Sequence, residues 1–247
     1  MKIQRFETLD ALRGLAMLWM TVFHFCFDLN HFGFIHQDFY TNPVWTWQRT
    51  LIVSLFLFCA GLGQAVAVAQ GQSWRRFWHR WALVAGAALV VTLGSWWMYP
   101  RSFIYFGVLH GMALMLLLAR LTVPWGSWLW PLGGLAIASK FLASYAMGMW
   151  ATSQFNAEMN SPLWNWIGWI TQKPVTEDYV PLFPWIGVMW WGVATGRWLL
   201  RRHAHVLHRS LPATFEPLVL LGRWSLSYYM LHQPVMILLL LVLTKLV

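Results

Sequence analysis

Charge is scarce in this chain. Its 247 residues include 17 Lys and Arg and 8 Asp and Glu, a charged fraction of 10%, where a soluble domain carries roughly 25%. Cysteine is scarcer: Cys26 and Cys59 are the two, each inside an apolar run. That excludes a disulfide framework and leaves no metal-ligand spacing, so no metal is expected. No P-loop, GxSxG elbow or HExxH pattern occurs. The net charge of +9 lies in short runs between apolar stretches rather than on one face, which argues against nucleic acid as a partner. What the chain has in quantity is apolar surface: 59% hydrophobic residues, with 20 Trp, 16 Phe and 7 Tyr. An interior of this size cannot hide that much, so a large share faces lipid.

Apolar runs near membrane-spanning length predict seven spans, at about 12–29, 51–69, 81–97, 103–119, 128–147, 180–198 and 226–243. The expected fold is an all-α, polytopic integral membrane helical bundle forming a single domain over 1–247. Lys and Arg in the short loops set the orientation. With a cytoplasmic N-terminus, twelve fall inside (Lys2, Arg5, Arg13, Arg75, Arg76, Arg80, Arg120, Arg197, Arg201, Arg202, Arg209, Arg223) and five outside (Arg49, Arg101, Lys140, Lys173, Lys245). The longest connection, about 148–179, then lies outside. Its Pro162–Ile170 stretch, rich in Trp, predicts an extra interfacial or re-entrant helix near 162–170. Gly61 with Gly63, Gly107 with Gly111 and Gly192 with Gly196 suit close helix approach. The basic 201–209 run suits contact with anionic membrane lipid.

An ionisable group at membrane depth is costly unless it has a partner or a cavity, so each one calls for explanation. His24 lies in the outer half of the first span, His110 in the fourth and His232 in the seventh. His24 and Asp28 are four apart and share a helix face, the spacing by which a carboxylate orients a general base. For His110 and His232, a bond to a neighbouring helix explains the residues equally well. At the foot of the first span Asp10 and Arg13 are three apart. Arg13 either pairs Asp10 at the inner interface or grips a phosphate. From Arg13 to His24 is roughly 16 Å along a helix, a length that suits the arm of coenzyme A.

The segment Arg5-Phe6-Glu7-Thr8-Leu9-Asp10-Ala11-Leu12-Arg13-Gly14, with His24 beyond it, resembles the first helix of transmembrane acyltransferases, including the acyltransferase-3 group. Phe106–Gly111, Asp178–Gly187 and Gly222–Pro234 look like the bacterial relatives of heparan-α-glucosaminide N-acetyltransferase. The resemblance implies a multi-pass enzyme of the bacterial inner membrane. It would move acetyl from cytosolic acetyl-CoA to an amine or hydroxyl of a sugar or glycan outside. His24, oriented by Asp28, would be the reacting histidine, or else His36 in the following loop. Asp10, Arg13, His110, Arg223 and His232 would meet the acyl donor, and Arg101 and Asp178 the acceptor. Oligomeric state is left open. The alternative from another class is a proton-coupled small-molecule transporter using the buried histidines as a relay.

Overall fold

The computed structural model describes residues 5–246, with side chains through 244. Lys2 and the Lys245 side chain, both counted above, lie outside the described residues. The fold is that of an all-α, polytopic membrane protein. Among the described residues the nearest thing to a sheet is one bridge, Phe106 to Tyr179. The chain divides into two compact units, Leu57–Arg202 and the pair of segments 5–56 and 203–246.

The first unit holds the second half of α2 (Pro43–Ala69), then α3 (Trp74–Met98), α4 (Val108–Thr122), α5 (Leu129–Trp150), α6 (Ser153–Asn160) and α7 (Leu182–Arg202). Its contacts give the helix directions. Trp81 donates to the Ala113 carbonyl while Thr92 meets His110, so α3 and α4 run oppositely. Gly111 lies against Val180 and Trp190 bonds Thr122, so α4 and α7 run together. Gly133 meets both Gly187 and Trp191, and Trp191 donates to the Trp130 carbonyl, which sets α5 against α7. Glycine lets α2 and α7 touch backbone to backbone. A Cβ on Gly61 would meet the Met189 carbonyl, and one on Gly192 the Phe58 carbonyl.

The second unit holds α1 (Glu7–His31), the first half of α2, then α8 (Ala204–His208), α9 (Glu216–Arg223) and α10 (Ser225–Leu246). A core of Met17, Met20, Phe23, Phe39 and Ile52 packs between α1 and α2, with Phe39 stacked on Trp45 at 4.1 Å. Beyond α1, the loop 32–42 is tied down at Asp38. The Thr41 hydroxyl donates to its carboxylate, as do the N–H groups of Thr41 and Tyr40. These bonds, the Thr41 hydroxyl first, hold the Asp38 carboxyl below the usual carboxylate range. Short α9 lies antiparallel along the start of α1, where a Cβ on Gly14 would meet Leu218 backbone and one on Gly222 would meet Asp10 backbone. Thr21 meets Tyr228 and Asp28 meets Gln233, so α10 runs in the same direction as α1.

Each of the seven expected spans falls on a helix. By length and composition five stretches are apolar enough to cross a membrane: Glu7–His31, Pro43–Ala69, Trp74–Met98, Val108–Trp150 and Ser225–Thr244. The 43-residue stretch contains both α4 and α5, broken at Gly126, whose φ of 65° and ψ of −124° are not helical. At about 1.5 Å per residue those 43 residues are twice the length that roughly 30 Å of hydrocarbon needs. Helix α7 is not among the five and ends in Arg201 and Arg202.

Two boundaries differ from expectation for local reasons. Helix α4 starts at Val108 rather than near 103, because the Val180 N–H donates to the Phe106 carbonyl and keeps that strand-like segment extended. The extra helix predicted near 162–170 lies earlier, at Ser153–Asn160, started by the Thr152 hydroxyl accepting from the Phe155 N–H. Residues 162–170 hold one 3-10 turn, Asn165–Ile167, pinned where fully buried Asn165 donates to the Tyr105 hydroxyl and accepts from Tyr179.

The orientation expected from the Lys and Arg distribution can be tested directly. In a variant lacking Cys26 and Cys59, a cysteine at Lys173 should be labelled by impermeant maleimide on intact cells and one at Arg75 should not. The reverse pattern would invert the orientation. Gly192→Val forces a side chain against the Phe58 carbonyl and should cost about 1–3 kcal/mol in unfolding from micelles, whereas Gly86→Val, which meets nothing within 4 Å, should cost far less.

Candidate active site

Three α1 residues, Thr21, His24 and Asp28, fall on one face at helical spacing. Each meets a residue of α10. The Thr21 hydroxyl donates to the Met17 carbonyl at 2.8 Å, so in its 2.8 Å contact with Tyr228 it accepts the phenol proton. His24 and His232 lie edge to face, ring centroids 5.3 Å apart, and His232 stacks on Tyr228 with 11° between the rings. Gln233 donates through Nε2 to Asp28 Oδ1 at 2.7 Å. The expected bond between His24 and Asp28 is not made. The carboxylate is held by Gln233, across the helix pair.

The unused atoms are informative. His232 Nδ1 lies 2.7 Å from the Tyr229 carbonyl, an acceptor only, so Nδ1 carries the proton and Nε2 the lone pair. That Nε2 is buried without a partner, as are Asp28 Oδ2 and Gln233 Oε1. Asp28 and His232 are themselves 4% and 8% exposed. Three unsatisfied acceptors in one buried row are unusual, because such groups are nearly always paired. They suit a ligand that brings N–H or O–H donors.

His110 contrasts with this. The Thr92 hydroxyl donates to the Ile104 carbonyl, so His110 Nε2 donates to Thr92 at 2.9 Å, while Nδ1 accepts the Gly107 N–H at 3.2 Å. Both ring nitrogens are occupied in capping α4 and joining it to α3. Asp178, expected at the acceptor mouth, accepts the Val108 N–H at 2.6 Å and caps the same helix. Glu177 beside it accepts from the Ser102 hydroxyl, and Arg101 is exposed in the adjoining loop. His36 is exposed in the 32–42 loop.

At the foot of α1, buried Asp10 lies between two arginines. Arg13 Nη1 is 3.2 Å from Oδ1 and Arg223 Nε is 3.8 Å from Oδ2. The arginine side chains are 30% and 41% exposed, and each guanidinium has more N–H donors than this carboxylate uses. The pairing to Asp10 expected on structural grounds is therefore real, and it still leaves a partly exposed excess of positive charge. Phosphates fit there. Sequence spacing missed Thr21, Tyr228 and Gln233. The heptad-like 21, 24, 28 spacing on α1 was the available signal for the first.

The fold and this row define a polytopic membrane protein with a histidine pair and unsatisfied acceptors between two parallel helices. Residues 5–234 match the family model described as heparan-alpha-glucosaminide N-acetyltransferase, catalytic, and the chain belongs to that family. The match runs from Arg5 to Pro234 and so takes in the arginine pair and every member of the row. No curated protein and no solved structure matches the chain.

Removing one side of the Asp28–Gln233 pair should reveal its cost. Gln233→Leu leaves a buried carboxylate unpaired and should destabilise by about 1–3 kcal/mol, while the double change with Asp28→Leu should recover most of that. Additive losses in micellar unfolding would show that the pair is not coupled.

Proposed function

We propose that the protein is an integral-membrane acetyltransferase of the bacterial inner membrane, with residues 1–247 acting as one catalytic domain. Acetyl-CoA is the donor from the cytosol, and an amine or hydroxyl of a sugar is the acceptor from outside. The observation that carries this reading is the buried row of unsatisfied acceptors around His24, in a member of an acetyltransferase family. A transport relay would pass protons between groups. This row instead presents lone pairs to a donor group, which an acceptor amine or hydroxyl supplies.

Arg13 and Arg223 hold the donor's phosphates at the inner end, and the length of α1 from Arg13 to His24 matches the reach of the thioester arm. His24 takes the proton as the acceptor nitrogen or oxygen bonds to the acetyl carbonyl carbon. The bond from that carbon to sulfur breaks, and the thiolate leaves with the electron pair. His232 Nε2 and Asp28 Oδ2 accept the acceptor's remaining N–H or O–H groups and orient it. Gln233 and Tyr228 are positioning residues. An acetyl-enzyme route would place the acetyl group on His24 or His36.

Labelled acetyl-CoA and glucosamine, added to protein in nanodiscs, test this. His24→Ala and His232→Ala should each lower kcat by about 10²–10⁴-fold, and Arg13→Ala or Arg223→Ala should raise KM for acetyl-CoA. Label trapped on the wild-type protein but not on His24→Ala or His36→Ala would assign the covalent step. Full turnover by His24→Ala, or wild-type protein that neither binds nor consumes acetyl-CoA, would sink the proposal; the second result would favour proton-coupled transport.

A further inference from the structure

Three helices of the first unit end together. Gly192 meets Phe58, Gly196 meets Ala65 and Trp190 meets Thr122, so α2, α4 and α7 run the same way. They finish at Ala69, Thr122 and Arg202. A pocket of about 230 Å³ lies among these ends, lined by Ala65, Val68, Val123, Leu200, Arg197 and Arg201. Apart from the two arginines, these side chains are apolar.

The charge in this pocket is unbalanced. Arg197 donates one N–H, from Nη1, to the Val123 carbonyl, and a guanidinium has five. Among the described residues Arg201 makes no hydrogen bond and no ion pair, and its charge acts against that of Arg197. The unit's carboxylates are Glu158, Glu177 and Asp178. All three lie toward the opposite ends of the helices. Asp178 caps the start of α4 with Glu177 beside it, and Glu158 sits in α6, beyond the end of α5. Three helix C-termini supply about half a negative charge each, less than the two arginines carry, and Arg202 adds a third cation. Capping the helices therefore leaves both charge and donors over.

Tryptophan marks the depth of this region. Trp125 and Trp128 in the turn after α4, and Trp198 near the end of α7, are exposed. Exposed Trp beside Arg belongs at the membrane–water interface, where headgroups lie.

We infer that this pocket binds one anionic phospholipid. Arg197 and Arg201 hold the headgroup phosphate, and the first carbons of an acyl chain lie along Ala65, Val68 and Leu200. The inference does not rest on the acetyltransferase reading. It narrows the lipid contact expected of the basic 201–209 run to one pocket and, within that run, to Arg201. A free phosphate has no use for the apolar wall. The nucleotide end of acetyl-CoA needs more room, because the pocket is smaller than the roughly 300–1,000 Å³ of drug-sized sites. A zwitterionic lipid brings an ammonium, which finds no carboxylate in the lining. Basic pockets between helices suit anionic headgroups for these reasons.

Phosphatidylglycerol or phosphatidylcholine of equal chain length, titrated into the purified protein in a neutral detergent and counted by native mass spectrometry, tests this. The first phosphatidylglycerol should bind more tightly than phosphatidylcholine. Arg201→Gln should weaken it by about fivefold, and Leu200→Trp, which fills the apolar side, should weaken it as well. Arg75→Gln, an exposed arginine outside the pocket, should leave it unchanged. Unfolding midpoints in the same detergent without lipid check that each variant is folded, and Arg201→Gln, which breaks no bond, should match the wild type. Equal binding of the two lipids, or equal weakening by Arg201→Gln and Arg75→Gln, would reduce the effect to general surface attraction and overturn the site. Displacement of the lipid by inorganic phosphate at equal concentration would make it a free-phosphate site, and displacement by acetyl-CoA would assign it to the acyl donor; either result would also overturn the inference.

Discussion

A polar group inside a membrane has no water to return to, so its bonds must be found within the protein. The rest of this structure is arranged around that constraint. Thr21, Tyr228, Asp28 and Gln233 meet it between α1 and α10, and His110, Thr92 and Asp178 meet it at the start of α4. At His232 Nε2, Asp28 Oδ2 and Gln233 Oε1, among other buried atoms, the constraint is left unmet, and these three lie together in the row to which the proposed function assigns the acceptor.

The polar contacts hold only because the helices come close. Gly14 and Gly222 let α9 lie on the backbone of α1, and this brings Arg223 to Asp10 beside Arg13. Gly61 and Gly192 do the same for α2 and α7. In lipid there is little hydrophobic gain in joining two apolar helices, so close packing of small residues and the bonds it permits carry the association. Apolar bulk is left to face outward, as with Trp97 and Trp150, 85% and 82% exposed.

Much of this was legible in the sequence. Seven apolar runs became helices at the expected places, because length and hydropathy are local properties that the bilayer reads directly. The family resemblance carried by the Arg5–Gly14 and Gly222–Pro234 segments agrees with the family model that matches. Helices α8 and α9 were not anticipated. At 5 and 8 residues they are too short for a periodic signal, and α9 depends on glycine contacts with α1. The helix at 153–160 was misplaced because tryptophan content marks interfacial depth, whereas Thr152 capping decides where a helix begins.

By itself the sequence determined that the protein is helical and membrane-embedded, and that His24 and Asp28 share a face, since both follow from composition and a period of 3.6 residues. Only the tertiary structure decided what each polar group touches. His110 and His232 read alike in sequence, yet one has both nitrogens bonded and the other offers a bare lone pair. Asp28, four residues from His24, takes its bond from Gln233, 205 positions away. Helical spacing places side chains on a face; which partner stands opposite depends on how distant helices pack, and that no local pattern encodes.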